Sequence, residues 1–192
     1  MPEPTERKPL VRAADIPNLI CIVRMLLVWP IVMALLDGRH VLALGLILVA
    51  GVSDGLDGFL AKRYNWQSRL GGLLDPLADK LLLVSVFVAL STTGLVPWWL
   101  TVVVIARDLI IVSGGVVYQW LVEPVQPKPS LASKINTGIQ LLYVLAVISN
   151  RTVSMPPPEF LTIAGAAVFV TSTVSGLDYV VRWSGQAIRA RR

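Results

Sequence analysis

Eight ionisable residues stand inside or at the mouth of long apolar runs: Arg24, Asp54, Asp57, Asp75, Asp79, Lys80, Arg107 and Asp108. A charge at the centre of a membrane-spanning helix costs about 2.5–3.5 kcal/mol on insertion scales, so such groups must face one another, water or a ligand. Asp54 and Asp57 are three apart, and Asp75 and Asp79 four apart, so on helices each pair shares a face. A short segment joins the two, and an antiparallel hairpin would bring all four carboxylates together. At low dielectric they repel strongly, and either protons or divalent cations must neutralise them. Oxygen ligands without thiolate or imidazole select a hard ion such as Mg²⁺, Mn²⁺ or Ca²⁺. The single histidine, His40, lies on the opposite side and reads as a solvated loop residue. Gly51, Gly55, Gly58, Ala61, Gly71 and Gly72 clear room beside the carboxylates for a bulky nucleotide, or else serve close helix packing.

The elements that must position these residues follow from composition. The chain has 192 residues, 55% apolar and 15% charged, with a mean hydropathy of +0.69. Soluble domains average about 45–50% apolar and about 25% charged. Disorder is excluded by the hydrophobicity and a disulfide scaffold by the single cysteine, Cys21. Six apolar segments are long enough to span a bilayer: 16–36, 41–61, 73–93, 97–121, 131–149 and 160–181. Asp37-Gly38, the stretch 65–72, Gly94 with Pro97, the stretch 124–129 and Pro156-Pro157-Pro158 separate them. The runs are too long for strands and lack period-2 alternation. The expected fold is therefore all-α, an integral membrane bundle of six transmembrane helices.

Lys and Arg set its orientation. Twelve fall on one side (Arg7, Lys8, Arg12, Lys62, Arg63, Arg69, Lys128, Lys134, Arg182, Arg189, Arg191 and Arg192) and two, Arg39 and Arg151, on the other. Both termini are thus expected in the cytoplasm, with 1–14 a cytoplasmic segment, 183–192 a basic tail and 1–192 one membrane domain. With Glu3, Glu6 and no apolar stretch before Ile16, the N-terminus reads as neither cleavable signal nor transit peptide. A net charge of +5 raises nucleic acid as a partner. The basic residues lie between apolar runs rather than along one face, so no nucleic-acid partner is expected. A carrier would spread its carboxylates through the membrane depth; here they gather at one interface, as a surface-facing catalytic site requires.

The stretch Asp54-Gly55-Leu56-Asp57-Gly58-Phe59-Leu60-Ala61, followed by Gly71, Asp75 and Asp79, resembles the signature D-x2-D-G-x2-A-R-x8-G-x3-D-x3-D of the CDP-alcohol phosphotransferase family. The one departure is Lys62 in place of arginine, which keeps the charge but loses the planar fork. Pro17-Asn18 and Arg24 at the start of the first segment agree with the family, and the resemblance covers roughly 15–180. It implies two divalent ions, Mg²⁺ or Mn²⁺, held by Asp54, Asp57, Asp75 and Asp79 against the diphosphate of a CDP-linked donor. Asp79 would also be the general base for the acceptor hydroxyl. Asp54, Gly58, Ala61, Lys62 and Gly71 would contact or leave space for the CDP moiety, and CMP would depart. Lys62, Arg63 and Arg69 at the rim could contact phosphate or be solvated loop charges.

A site at membrane depth suits CDP-diacylglycerol as donor. Arg107 and Lys134 could bind the acceptor phosphate together with Arg69; alternatively Arg107 pairs with Asp108 and Lys134 snorkels to the interface. Family members that use glycerol 3-phosphate generally carry further basic residues where this chain has Gly115 and Asn136. A phosphomonoester dianion wants more cation than a phosphodiester, so their loss points to phosphatidylglycerol. The stretches 74–80 and 133–137 with Gln140-Leu141 look like those of the cardiolipin-forming members. The resemblance thus implies a phospholipid synthase forming cardiolipin and CMP, with phosphatidylglycerophosphate synthesis as the alternative. It further implies a multi-pass protein of the bacterial cytoplasmic membrane with a cytoplasm-facing site, surrounded by membrane lipids. A homodimer is expected, with Gly114, Gly115, Gly165, Ala166 and Ala167 as one candidate face or as internal packing. Asp178 is expected to pair with Arg182 one turn on.

Overall fold

Apolar stretches of this length bury their backbone polar groups most simply by closing i→i−4 hydrogen bonds. The computed structural model describes residues 16–64, 71–121 and 131–190, with side chains described outside 16–18, 57–62, 71–76, 115–121 and 182–190. All regular structure there is helical: α1 (Ile16–Leu36), α2 (His40–Tyr64), α3 (Gly71–Thr92), α4 (Trp98–Leu121), α5 (Leu131–Val153) and α6 (Pro158–Ala190). The expected all-α fold of six helices is therefore found. Within the described residues, three helices are long and apolar enough to cross a bilayer on their own: Leu19–Leu36, Leu131–Val153 and Pro158–Val181. The apolar part of α2, His40–Leu56, is shorter.

Two boundaries differ from expectation. α5 runs on to Val153, past the expected end at 149. α6 continues to Ala190, so most of what was expected to be a separate basic tail is helix. Positive charge at a helix C-terminus favours this extension through the helix dipole, and no proline intervenes after Pro158. His40 also departs from expectation: it opens α2 and is partly buried rather than sitting in a solvated loop.

The turns at one end of the bundle are built by backbone chemistry. At the end of α1, Gly38 adopts φ +72, with Gly38 N–H bonded to Leu35 O at 3.2 Å and Arg39 N–H to Ala34 O at 2.8 Å. At the end of α3, Gly94 adopts φ +73, with Gly94 N–H to Ser91 O at 3.1 Å and Leu95 N–H to Leu90 O at 2.9 Å. Both are Schellman closures, which need a residue tolerant of positive φ at this position.

α1 packs against α2 and α3, and α6 against α4 and α5; α2 with α5, and α3 with α4 and α5, join the two triplets. Inward stripes at helical spacing supply the core: Val28, Ile31 and Leu35 on α1, Ala43, Ile47 and Ala50 on α2, Leu82, Val86 and Leu90 on α3, Val144, Val147 and Ile148 on α5. Outside that core, large apolar side chains on every helix remain exposed, among them Leu26, Val52, Leu81, Leu109, Leu142 and Val181. A chain apolar inside and outside is fitted to lipid.

Away from the Gly38 and Gly94 turns, the same inward stripes change chemistry. One or two helical steps beyond the apolar core lie Arg24 on α1, Asp54 on α2, Asp79 on α3, Arg107 on α4, Asn136 and Gln140 on α5, and Ser172 and Ser175 on α6. The fold thus gathers a polar interior at one end of an apolar bundle.

Candidate functional site

The spacing that buries Val28 and Ile31 also turns Arg24 inward, and its side chain is 1% exposed. A guanidinium does not lose its charge on burial, so partners must come to it. Asp54 Oδ1 lies 2.6 Å and Asp79 Oδ1 2.7 Å from the same nitrogen, Nη1. Asp54 is 46% and Asp79 44% exposed, so each carboxylate reaches Arg24 with one oxygen while part of it stays accessible. The two carboxylates expected to converge from α2 and α3 do converge. The buried residue that joins them, Arg24, stood out in the sequence as a costly charge and as part of the resemblance, but without an assigned partner.

A cavity of about 130 Å³ opens here, lined by Arg24, Asp54 and Asp79 together with Gly51, Thr137 and Leu141. Thr137 and Leu141 bring α5 to the site; both belong to the stretch singled out in the sequence, which gave them no role of their own. No heavy atom outside the helix's own nearby backbone lies within 4 Å of where a Cβ on Gly51 or Gly55 would stand, so these positions leave room along the cavity side of α2.

Asp57, Gly58, Ala61 and Lys62 lie on α2, and Gly71 and Asp75 on α3, with side chains outside the described residues. Arg69 lies outside them altogether. Among the described residues no group of three metal-ligating side chains forms. The donor chemistry fits a hard divalent ion nonetheless. Asp54 and Asp79 present partly exposed carboxylate oxygens on one shared cation, with negative charge in excess by one.

A second polar centre lies where α4, α5 and α6 meet. Arg107 is 4% exposed. Its Nε and Nη2 donate to Ser175 Oγ at 3.2 and 2.8 Å, and Nη2 also donates to Ser133 Oγ at 2.7 Å. Its Nη1 donates to Asp108 Oδ1 at 2.6 Å, and Lys80 Nζ lies 3.6 Å from the same oxygen. Of the two expectations for Arg107, the pairing with Asp108 is present, and the serines add to it. Lys134, on the next residue after Ser133, is exposed. The Asp178–Arg182 pair involves a side chain outside the described residues.

Between α5 and α6, Asn136 is fully buried, and its Oδ1 accepts hydrogen bonds from Thr171 Oγ1 and Ser172 Oγ, both at 2.9 Å. Gln140 Nε2 donates to Ser172 Oγ at 3.3 Å. Gly165 packs internally as well: a Cβ there would stand 3.4 Å from Tyr143 Oη. That places Gly165 in the α5–α6 contact rather than on an outward face, while Ala166 beside it is exposed.

The two centres are adjacent through two helices. On α3, Asp79 serves the first and Lys80 the second; on α5, Thr137 lines the first while Ser133, one turn away, holds the second. One centre carries excess negative charge suited to cations, and the other excess positive charge suited to an anion.

The chain is similar in sequence to known proteins. A profile of the CDP-alcohol phosphatidyltransferase family matches residues 14–185. The cardiolipin synthase (CMP-forming) of Rattus norvegicus is 32% identical over 180 residues, covering 85% of this chain and 60% of that protein. The probable cardiolipin synthase of Drosophila melanogaster is 37% identical over 142 residues, 66% of this chain and 44% of that protein. A probable phosphatidylglycerophosphate synthase of Mycobacterium tuberculosis is 30% identical over 188 residues, 94% of this chain and 87% of that protein. The chain spans 44% and 60% of the lengths of those two cardiolipin synthases. Because the match runs through all six helices and takes in the aspartates of α2 and α3, the chain belongs to the CDP-alcohol phosphatidyltransferase family.

Proposed function

We propose that this chain transfers the phosphatidyl group of CDP-diacylglycerol to a hydroxyl of phosphatidylglycerol, giving cardiolipin and CMP. Family membership supports the donor and the reaction type. The acceptor rests on one observation: Asn136, where members using glycerol 3-phosphate generally carry a lysine, is fully buried and committed to Thr171 and Ser172. Arg107 and Lys80 against Asp108 then leave one net positive charge, suited to a phosphodiester monoanion.

In this reading Asp79 takes the proton of the acceptor hydroxyl as its oxygen forms a bond to the phosphatidyl phosphorus. The bond from that phosphorus to the CMP oxygen breaks, and CMP leaves with the electron pair. Arg24 fixes the Asp79 carboxylate so that it meets the hydroxyl in a defined direction. Asp54, Asp57, Asp75 and Asp79 would hold Mg²⁺ or Mn²⁺, which supplies charge stabilisation at the diphosphate. Gly58, Ala61 and Gly71 leave space for the cytidine portion, Asp54 and Lys62 bind the CDP moiety, and Arg107, Lys134 and Arg69 receive the acceptor phosphate. The asymmetry of basic residues supports a bacterial cytoplasmic membrane location with the site and both termini in the cytoplasm. Residues 1–192 form one membrane domain, working as a homodimer.

A second reading, phosphatidylglycerophosphate synthesis from glycerol 3-phosphate, is favoured by the extent of the Mycobacterium tuberculosis match. Purified protein in detergent, given CDP-diacylglycerol, Mg²⁺ and both acceptors in competition, separates the two. Cardiolipin as main product is expected. Phosphatidylglycerophosphate as main product overturns the acceptor assignment, and absence of CMP release with either overturns the transferase reading.

A further inference from the structure

Asp108 stands outside the aspartate signature, yet it joins two helices through its ion contacts. One carboxylate oxygen, Oδ1, accepts from Arg107 Nη1 at 2.6 Å and lies 3.6 Å from Lys80 Nζ. Successive residues of a helix point about 100° apart and do not ordinarily face each other, so the Arg107 side chain must bend toward its neighbour to make this contact.

A guanidinium carries five N–H donors. Ser175 and Ser133 engage the Nε and Nη2 donors, and Asp108 engages one of the two on Nη1. The one donor of Arg107 left over among the described residues is thus on the nitrogen that Asp108 grips. Where that donor points is set by Asp108. The carboxylate is 14% exposed and Lys80 34%, so this end of the guanidinium lies nearest the accessible side.

The second contact sets position along α3. Lys80 directly follows Asp79, whose carboxylate is fixed on Arg24. A single step of the α3 helix therefore separates Asp79 from the lysine that touches Asp108. Asp79 and Arg107 are held in mutual register by Lys80 and Asp108, with no loop between them.

We propose that Asp108 is a positioning residue for the acceptor. It aims the remaining Nη1 donor of Arg107 at the acceptor phosphate and, through Lys80, ties that phosphate to the turn of α3 bearing the general base. The proposal rests on the reading of Arg107 as a group that receives the acceptor phosphate. Its signature is selective, because a residue that acts only on Arg107 affects the acceptor and leaves the CDP donor alone.

The test is steady-state kinetics of the full chain in detergent, varying CDP-diacylglycerol and phosphatidylglycerol separately. Asp108→Asn keeps the shape and removes the charge; acceptor KM is expected to rise about tenfold, with donor KM within about twofold. Asp108→Glu should return acceptor KM to within about threefold of the parent, which a general loss of packing would not allow. Lys80→Gln leaves the Arg107–Asp108 contact in place and should raise acceptor KM about threefold; it carries the test if Asp108→Asn does not fold. Adding Asp108→Asn to Arg107→Gln should cause no further rise, since the two act as one unit. Equal changes in both KM values, or unchanged acceptor KM in Asp108→Asn while Arg107→Gln raises it, sinks the Asp108 proposal and leaves the Arg107 reading intact. Unchanged acceptor KM in Arg107→Gln sinks that reading itself.

Discussion

Two buried arginines, Arg24 on α1 and Arg107 on α4, are neutralised in opposite ways. Arg24 shares one nitrogen between two carboxylates from two different helices. Arg107 spreads three nitrogens over two serines and a single carboxylate, which a lysine also approaches. Counting only the described side chains, Arg24, Asp54 and Asp79 sum to one negative charge, and Arg107, Lys80 and Asp108 to one positive charge. Buried ion pairs hold little net energy but fix geometry, and losing one partner is costly. In the function proposed above, one small bundle would bind both ends of a group-transfer reaction: the negative centre would take cations and the diphosphate they carry, and the positive centre an anionic acceptor.

The sharpest way to break this division is to remove the group assigned to proton transfer. Asp79→Asn retains a polar group beside Arg24 but cannot accept the proton. Turnover is expected to fall by about 10²–10⁴ while donor binding is largely kept. CMP release and equilibrium binding of CDP-diacylglycerol measure the two separately. Unchanged turnover would remove Asp79 from the role of base.

The next largest effect is expected at Arg24. Arg24→Gln removes the shared counter-charge of Asp54 and Asp79 and lets the two carboxylates move apart. Activity at saturating substrates should fall about tenfold to a hundredfold, because the orientation of Asp79 is lost. Arg24→Lys should recover only part of it, because the shorter side chain stops short of the place where Nη1 meets both carboxylates. Full activity in Arg24→Gln would mean that the aspartates hold their places without it.

How much of this was legible in the sequence depends on whether a residue's partner is near or far along the chain. The six helices were legible because apolar runs and the Gly38 and Gly94 turns act locally. The Asp54–Asp79 convergence was legible because a short connection returns α3 at the same end as α2, although it is α1, through Arg24, that joins the two. Arg24 was visible as a costly charge, but its partners come from helices 30 and 55 residues away, which spacing alone does not choose. Ser172 and Ser175 were silent, and Ser133 and Thr137 stood out only within a longer stretch and without a role, for another reason. Small hydroxyl residues are common in membrane helices, and only packing shows which of them meet Arg107, Asn136 or the cavity. The length of α6 was misjudged because a helix need not stop where its apolar run does.

A smaller effect, on stability rather than chemistry, sharpens the contrast from the other half. Asn136→Ala removes the acceptor for Thr171 and Ser172 and leaves two buried hydroxyls to find other partners. Both can bond to backbone carbonyls of their own helix, as Thr171 already does with Ala167 O at 2.8 Å. The expected destabilisation is about 1–2 kcal/mol, read as lowered thermal stability in detergent. If Asn136 serves only packing, KM for phosphatidylglycerol should stay within about twofold of the parent. A large rise in acceptor KM without loss of stability would instead place Asn136 at the acceptor.

The smallest effect is expected at Lys134, which neighbours Ser133 in sequence but is exposed. Unlike Arg107 it has no ion pair or side-chain hydrogen bond among the described residues, and nothing around it fixes its direction. A freely hydrated ammonium adds attraction at long range rather than a defined contact. Lys134→Ala should therefore raise acceptor KM about twofold to threefold, and the effect should fade as salt rises through the physiological range. Comparison of the variant and parent at low and high ionic strength measures this directly. A rise above tenfold that persists at high salt would show Lys134 gripping the acceptor phosphate as firmly as Arg107, and the positive centre would then have two fixed cations rather than one.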